Sequence, residues 1–229
     1  MCGRYSQRQS ADVIAKAFEV DNVPALEPRY NIAPTQSVPT VLQPSVSQSR
    51  QFKMLHWGLI PKWAKDSKIG AKLINARAET VAEKPSFRSA FRKRRCLVLA
   101  DGFYEWQQQE NKKQKQPYYF RLNDGQPFAF AGLWEQWEDV SGEAIDSCTL
   151  LTTDANELMR PVHNRMPVIL NPKDYERWLD PEVKEPEQLQ PLLRPYSTQE
   201  MLAYPVSTAV NKPSNDNAEC IKSIEASLK

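Results

Sequence analysis

The feature that most restricts this chain is its succession of short β-type runs, each bounded by turn residues before it can become a long element. Between residues 96 and 153 the runs "CLVLA", "GFYEWQ", "PYYFRL", "PFAFAGLW" and "SCTLLTT" follow one another, with "NDGQ" a turn between the third and fourth. Upstream, "TVLQ" and "QFKMLHWGL" are separated by the turn-like "SVSQSR", and Pro61 ends the second run because it lacks the donor a ladder needs. "MPVIL" adds a further strand. Helical patterning is brief. "SADVIAKAFE" predicts a helix capped by Ser10 with Val13, Ile14, Ala17 and Phe18 on one face. "SFRSAFRKR", "NPKDYERWL" and "EPEQLQPLL" also read as helices, and "DANELM" as a helical turn capped by Asp154. The expectation is an α+β fold with a curved antiparallel or mixed β-sheet, or an open β-barrel core, and peripheral helices. No internal repeat interrupts it. One domain over residues 1–229 is expected, with the polar stretch 213–229 a loose tail. Eighteen prolines imply many fixed loops, where functional groups often sit.

Composition excludes several classes. Four cysteines without a CxxC pair, and only two histidines, argue against a structural zinc site, so no metal and no cofactor is expected. No apolar stretch approaches the roughly 20 residues of a membrane span, and no apolar segment of a signal peptide follows the first basic residues. The expected location is cytoplasmic, nucleoid-associated or nuclear in a eukaryote, with the cysteines as thiols. The net charge of +2 is mild but uneven: "FRSAFRKRR" and "NKKQK" are basic, whereas 174–187 is rich in acids. This pattern suits either a basic binding face or a solvated helix and loop tip.

The chain begins "MCGRYS". Removal of Met1 would leave Cys2 with an amine and a thiol on adjacent carbons. The amine, with a pKa of about 7.7–8.0, is partly unprotonated at neutral pH and attacks aldehydes. The thiol then closes on the imine carbon, giving a five-membered thiazolidine, and the intramolecular closure gains a large effective concentration. An early cysteine alone means little. Gly3 would allow close backbone approach, and Arg4 is a candidate phosphate partner.

Other stretches carry further candidates. In "DGFYEWQ", alternation places Phe103, Glu105 and Gln107 on one strand face. Aromatic surroundings would raise the pKa of the carboxyl and suit acid/base work; a wet-face glutamate is the plainer reading. His163 in "VHNRMP" is a natural proton shuttle beside Arg165, or else a hydrogen-bonded structural histidine. His56 reads as structural. In "LINARAET", Asn75 offers an orienting amide, with Arg77 and Glu79 on the same face if the segment is extended. In "HWGLIPKWAK", Trp57 reads as core and Trp63 as either core or an exposed stacking platform. Pro34 sits at a rigid loop tip in "YNIAPTQ".

Taken together, "MCGRY", "YNIAPTQ", "WGLIPKW", "INARAET", "RRCLVLADGFYEW" and "HNRMPVIL" resemble, in order and spacing, the signature blocks of the SOS response-associated peptidase (SRAP) family. They run from Cys2 to Leu170, and "PVS" at 205–207 resembles the family's closing strand. The resemblance implies a protein that senses abasic sites in single-stranded DNA and cross-links itself to the opened sugar through Cys2. By the same resemblance, Asn75 positions the terminus and Glu105 is an acid/base. His163 moves protons at the Schiff base and assists strand scission where elimination competes. Arg4, Arg77 and Arg165 would contact phosphates, and Pro34 with Trp63 would form a wedge. The implied partner is single-stranded DNA with abasic sites, bound by a monomer. Two rival readings use the same residues: a thiol (auto)peptidase with Cys2 as N-terminal nucleophile, and a plain nucleic-acid-binding module.

Overall fold

The computed structural model describes residues 2–110 and 114–224. Removal of Met1, and most of the basic run "NKKQK", therefore lie outside the described residues.

The short apolar runs form strands because each finds at least one pairing partner, and the central ones find two. In chain order they are β1 (Tyr5–Gln7), β2 (Arg29–Ile32), β3 (Ser37–Leu42), β4 (Gln51–Trp57), β5 (Asn75–Arg77), β6 (Arg95–Ala100) and β7 (Gly102–Gln107). There follow β8 (Gln116–Leu122), β9 (Phe128–Glu138), β10 (Ala144–Asp154), β11 (Arg165–Pro167), β12 (Ile169–Leu170) and β13 (Met201–Pro205). The helices are α1 (Ala11–Phe18), α2 (Arg88–Lys93), α3 (Tyr175–Leu179) and α4 (Pro186–Leu189). The fold is α+β, as expected.

Five strands close into a ring, β10–β4–β3–β6–β9, because β9 pairs with both β6 and β10. The barrel is thus closed, where the sequence led to the expectation of a curved sheet or an open barrel. Closure rests on the long β9–β10 ladder, from Ala144↔Glu138 to Leu150↔Gly132, and on a short parallel join of Ser147 with His56 and Cys148 with Trp57. At Gly132 a Cβ would stand 2.7 Å from Cys96 Sγ, so the crossing of β6 and β9 requires glycine. The run "CLVLA" is apolar throughout because both its faces are covered. Leu97 and Leu99 face the helices, whereas Cys96, Val98 and Ala100 face the interior.

The second sheet, ordered β13–β8–β7–β1–β2, is antiparallel and packs on that interior. Tyr5 meets Trp57 at 5.3 Å between ring centroids, and Phe103 meets Phe130 at 6.0 Å, in edge contacts favoured by ring quadrupoles. Trp57 is core, as its sequence context predicts. On the opposite side of the barrel, Phe18 stacks on Tyr175 and Phe91 packs against Trp178. Arg95 is buried there and donates to the carbonyls of Phe91, Arg92, Trp178 and Asp180, satisfying the C-terminal ends of α2 and α3. Burial lowers its pKa to about 10, so it remains charged at neutral pH.

Three local expectations need correction. In α1 only Ile14 and Phe18 are buried, and Ser10 makes no side-chain cap bond, because the helix touches the core along one i, i+4 pair. The turn after β10 is capped by Asn156, whose Oδ1 accepts from Met159 N at 2.9 Å. Asp154 ends β10 and faces Arg165 instead. The stretch after Pro213 is docked as far as it is described. Asp216 accepts from the backbone N–H groups of Tyr30 and Asn31 at 2.5 and 2.9 Å and pairs with Arg29, and Cys220 is fully buried.

Candidate active site and nucleic-acid face

A three-residue strand cannot hold its register by ladder bonds alone, so β1 depends on side chains. Ser6 Oγ donates to Asp101 Oδ1 at 2.6 Å and lies 2.7 Å from the Tyr119 hydroxyl. Asp101 Oδ2 accepts from Arg8 N and Arg8 Nε at 2.8 and 3.1 Å. Gly102 admits Tyr119 to this network, since a Cβ there would stand 2.1 Å from the phenol oxygen. Tyr5 then pairs with Phe103, and Tyr104 N donates to Arg4 O at 2.9 Å. This places Cys2 beside β7, at the end of the interior core.

Four residues from four separate stretches of chain meet at that point: β5 and β7 supply one each, and the segments before β1 and β11 the others. Cys2 is fully buried, and Asn75, which opens β5, donates from Nδ2 to Cys2 O at 2.8 Å. Asn75 arrives there because β5 lies parallel to β10, Asn75 opposite Leu150. Among the described residues, Asn75 Oδ1 is buried without a hydrogen-bond partner. Glu105 is 5% exposed, so it is not on a wet face; alternation turns it with Phe103 toward the interior, while Tyr104 and Trp106 pack on the other side. His163 Nε2 lies 3.8 Å from Glu105 Oε1. The backbone N–H of Arg165 donates to His163 Nδ1 at 3.0 Å, so the neutral imidazole carries its proton on Nε2, toward Glu105. Burial, and then the charge of Glu105, push the Cys2 thiol up to about 12. The sulfur is therefore a neutral thiol near neutral pH, and its reaction requires a group that accepts the proton.

His163 also lines an adjoining pocket of about 550 Å³ with Arg77, Glu79, Thr80 and Asp154. Arg77 is exposed in it. Arg165 also lines the pocket, where its guanidinium is shared among several acceptors of the chain. Its guanidinium grips both oxygens of Glu79 at 2.8 and 2.9 Å, and also bonds Asp154 Oδ1 and Thr152 O. Burial raises the Glu79 pKa, but the bonds and charge of Arg165 outweigh it and hold the carboxyl below its ordinary range. Arg4 is likewise engaged: Nη1 donates to Asn31 Oδ1 and Val210 O, both at 2.8 Å, and the guanidinium lies over Trp106. Asn31 is fully buried and fixes this corner by donating to the carbonyls of Val210, Lys212 and Asn215.

Trp63 is 59% exposed on a loop that cannot collapse. Gly58 and Gly70 touch backbone to backbone, so a Cβ on either would stand 2.7 or 2.6 Å from the other's carbonyl oxygen. Trp137 Nε1 further pins the loop by donating to Ala64 O at 2.8 Å. An exposed indole on a rigid loop is a stacking platform. Beside it Lys65, Lys68 and Lys72 line a groove of about 480 Å³, and Lys68 also lines the next groove with Thr35 and His56. Pro34 is half-buried at the tip next to Thr35, whose φ of 69° is unusual for a β-branched residue. Sequence reading passed over these lysines, although their spacing in "AKDSKIGAK" is a basic stripe at helical intervals. It also passed over Asn31, Asp101 and Asp216, whose partners lie far along the chain. Burial lowers the His56 pKa. Among the described residues, no group of three or more His, Cys, Asp or Glu is placed to hold a metal ion, and no helix is long and apolar enough to cross a membrane.

The family model described as SOS response associated peptidase (SRAP) matches residues 1–213. The abasic site processing protein YoqW of Bacillus subtilis (strain 168) is 46% identical over 226 residues, covering 97% of this chain and 100% of that protein. The abasic site processing protein HMCES of Gallus gallus is 35% identical over 86% of this chain and 67% of its own length. Among solved structures, a crystal structure of a protein from Bacteroides thetaiotaomicron superposes with a TM-score of 0.85 at 28% identity, covering 97% of this chain and 99% of that one.

Proposed function

The chain belongs to the SOS response associated peptidase family, and from that premise we propose that it captures abasic sites in single-stranded DNA as a covalent thiazolidine through Cys2 after loss of Met1. The observation that carries the reading is the convergence of Cys2 with Asn75, Glu105 and His163 in one buried corner. The amine of the processed Cys2 attacks the ring-opened sugar aldehyde, and water leaves to give the imine. The thiol then adds across the C=N bond; sulfur bonds to carbon and its proton passes to nitrogen, so the ring forms with the net loss of one water. Asn75 holds the Cys2 carbonyl, and its buried Oδ1 suits the terminal ammonium. Glu105 takes the proton that an otherwise unreactive thiol must give up, and His163 supplies protons at the departing hydroxyl. Elimination of the 3′ phosphate from the imine is the lyase branch, and ring closure ends it by removing the imine. Trp63, Pro34 and the adjoining lysines suit a single strand with unstacked bases. Arg77 takes a phosphate, while Arg4 and Arg165 act by holding the site together. The converging groups come from one chain, which suits a monomer acting in the nucleoid, or in the nucleus of a eukaryote.

The test is incubation of mature protein, shown by intact mass to lack Met1, with a single-stranded oligonucleotide carrying one abasic site and with a panel of peptides. The expected result is a shifted band that survives denaturing electrophoresis and is absent for Cys2→Ala. Peptide turnover without an adduct would instead establish a thiol peptidase. Reversible binding unaffected by Cys2→Ala, with no adduct, would establish a plain binding module.

A further inference from the structure

The fold accounts for only part of the basic run from Arg88 to Arg95. Arg95 is consumed by backbone carbonyls, and Arg94 reaches Glu135 Oε1 at 2.5 Å and Ser89 Oγ at 3.1 Å. Arg88, Arg92 and Lys93 are different. All three are exposed, and among the described residues none of them forms an ion pair. They form one wall of a groove of about 410 Å³, with Ala82, Glu83 and Ser89 completing it. A solvated helix face needs no groove, and three cations around a single carboxylate leave an excess of positive charge in this one.

The groove also adjoins the candidate active-site pocket. Glu79 and Thr80 line the pocket, Ala82 and Glu83 line the groove, and the intervening Val81 is fully buried, which fixes the segment. Two residues of chain span at most about 7 Å. A polymer leaving the pocket on this side meets the groove directly.

We propose that Arg88, Arg92 and Lys93 form a phosphate track for the DNA strand flanking the lesion, on one side of it. The proposal rests on the pocket being a DNA site. A polynucleotide is the fitting partner because its regularly spaced phosphates engage several unpaired cations at once. The track holds the flank without reading sequence, since none of these residues is placed in the pocket itself.

Reversible binding in a Cys2→Ala background tests this with the covalent step removed. Three fluorescent abasic oligonucleotides are compared: one trimmed close to the lesion, one extended only 5′ and one extended only 3′. The triple variant Arg88→Gln/Arg92→Gln/Lys93→Gln keeps good helix formers at exposed positions. It is expected to bind the trimmed oligomer like its parent and one extended oligomer more weakly. For that oligomer the log–log salt slope should flatten by about 2, as three contacts at about 0.7 each imply, so that between 50 and 200 mM salt the parent loses about 20-fold more affinity than the variant. Identical affinities and slopes on all three oligomers overturn the track. An equal loss on all three, the trimmed one included, also overturns it, because that is the signature of net charge alone. Failure of the capture reading appears separately, as the absence of a covalent band with Cys2 intact, and leaves this comparison readable.

Discussion

Replacing Asn75 by alanine removes the donor that holds the Cys2 carbonyl at 2.8 Å. The carbonyl is then a buried acceptor without its partner, a loss of about 1–3 kcal/mol. Part of this is offset, because the substitution also removes Asn75 Oδ1, itself buried without a partner among the described residues. A net loss of about 1–2 kcal/mol lowers the melting temperature of a chain this size by roughly 2–8 °C. The effect on capture should be larger than the effect on stability. Cys2 must present amine and thiol to one carbon, and a displacement of about 1 Å is sufficient to cost roughly 100-fold in rate. Asn75→Asp separates the two effects. It preserves shape but turns an acceptor toward the carbonyl and adds negative charge beside Cys2, so it should cross-link more slowly than Asn75→Ala. The assay is single-turnover cross-linking at saturating oligonucleotide, read on denaturing gels, beside thermal melts of the same preparations. Saturation removes any contribution from binding. If Asn75→Ala melts lower yet cross-links at the parental rate, the positioning role is wrong, and the bond is merely structural.

Four further outcomes follow from the same geometry. With its pKa near 12, the Cys2 thiol at pH 8 is ionised only to about one part in 10⁴, so, allowing for the greater nucleophilicity of a high-pKa thiolate, native alkylation followed by mass spectrometry should be about 50-fold slower than in the urea-unfolded chain. Glu105→Gln removes the group that accepts the thiol proton and should therefore slow cross-linking to an abasic oligonucleotide by roughly 100- to 10,000-fold; an unchanged rate would contradict the arrangement. Trp63→Ala should leave the melting temperature within the change expected for about 0.5 kcal/mol, yet weaken single-strand binding by roughly 5- to 150-fold, the equivalent of one stacked base; unchanged binding removes Trp63 from the interface. Arg165→Lys loses the two-point grip on Glu79 and should destabilise the chain by about 1–2 kcal/mol at neutral pH. Because the folded Glu79 carboxyl lies below its ordinary value of 4.5, its contribution is present above that pH and lost as pH falls further, so the gap between parent and variant in denaturant melts should narrow in acid.

How much of this was legible follows the range of the forces involved. "GFYEWQ" announced a strand with Glu105 and Phe103 on one face, since alternation is a property of neighbouring residues, and the structure keeps both on the interior side. "SADVIAKAFE" announced a helix but overstated its buried stripe, because nothing local says how wide a surface the core will offer. The tail after Pro213 reads as loose by its polarity, yet polarity is what docks its described part: Asp216 satisfies the N–H groups of Tyr30 and Asn31, well over a hundred residues earlier.

The sequence by itself marked the apolar runs that become the central strands, though neither β1 nor β2, and placed a nucleophile, an amide, a carboxylate and an imidazole on separate stretches of chain, because backbone preference and side-chain chemistry are carried by each residue and its nearest neighbours. Only the tertiary structure decided that β9 and β10 close the barrel, that these four groups meet, and which arginines remain available to a ligand. Arg165 and Arg88 are alike as letters. One is held by Glu79 across 86 positions of chain, and the other faces solvent. The availability of a charge depends on whether a distant partner neutralises it, and that is a property of proximity in space.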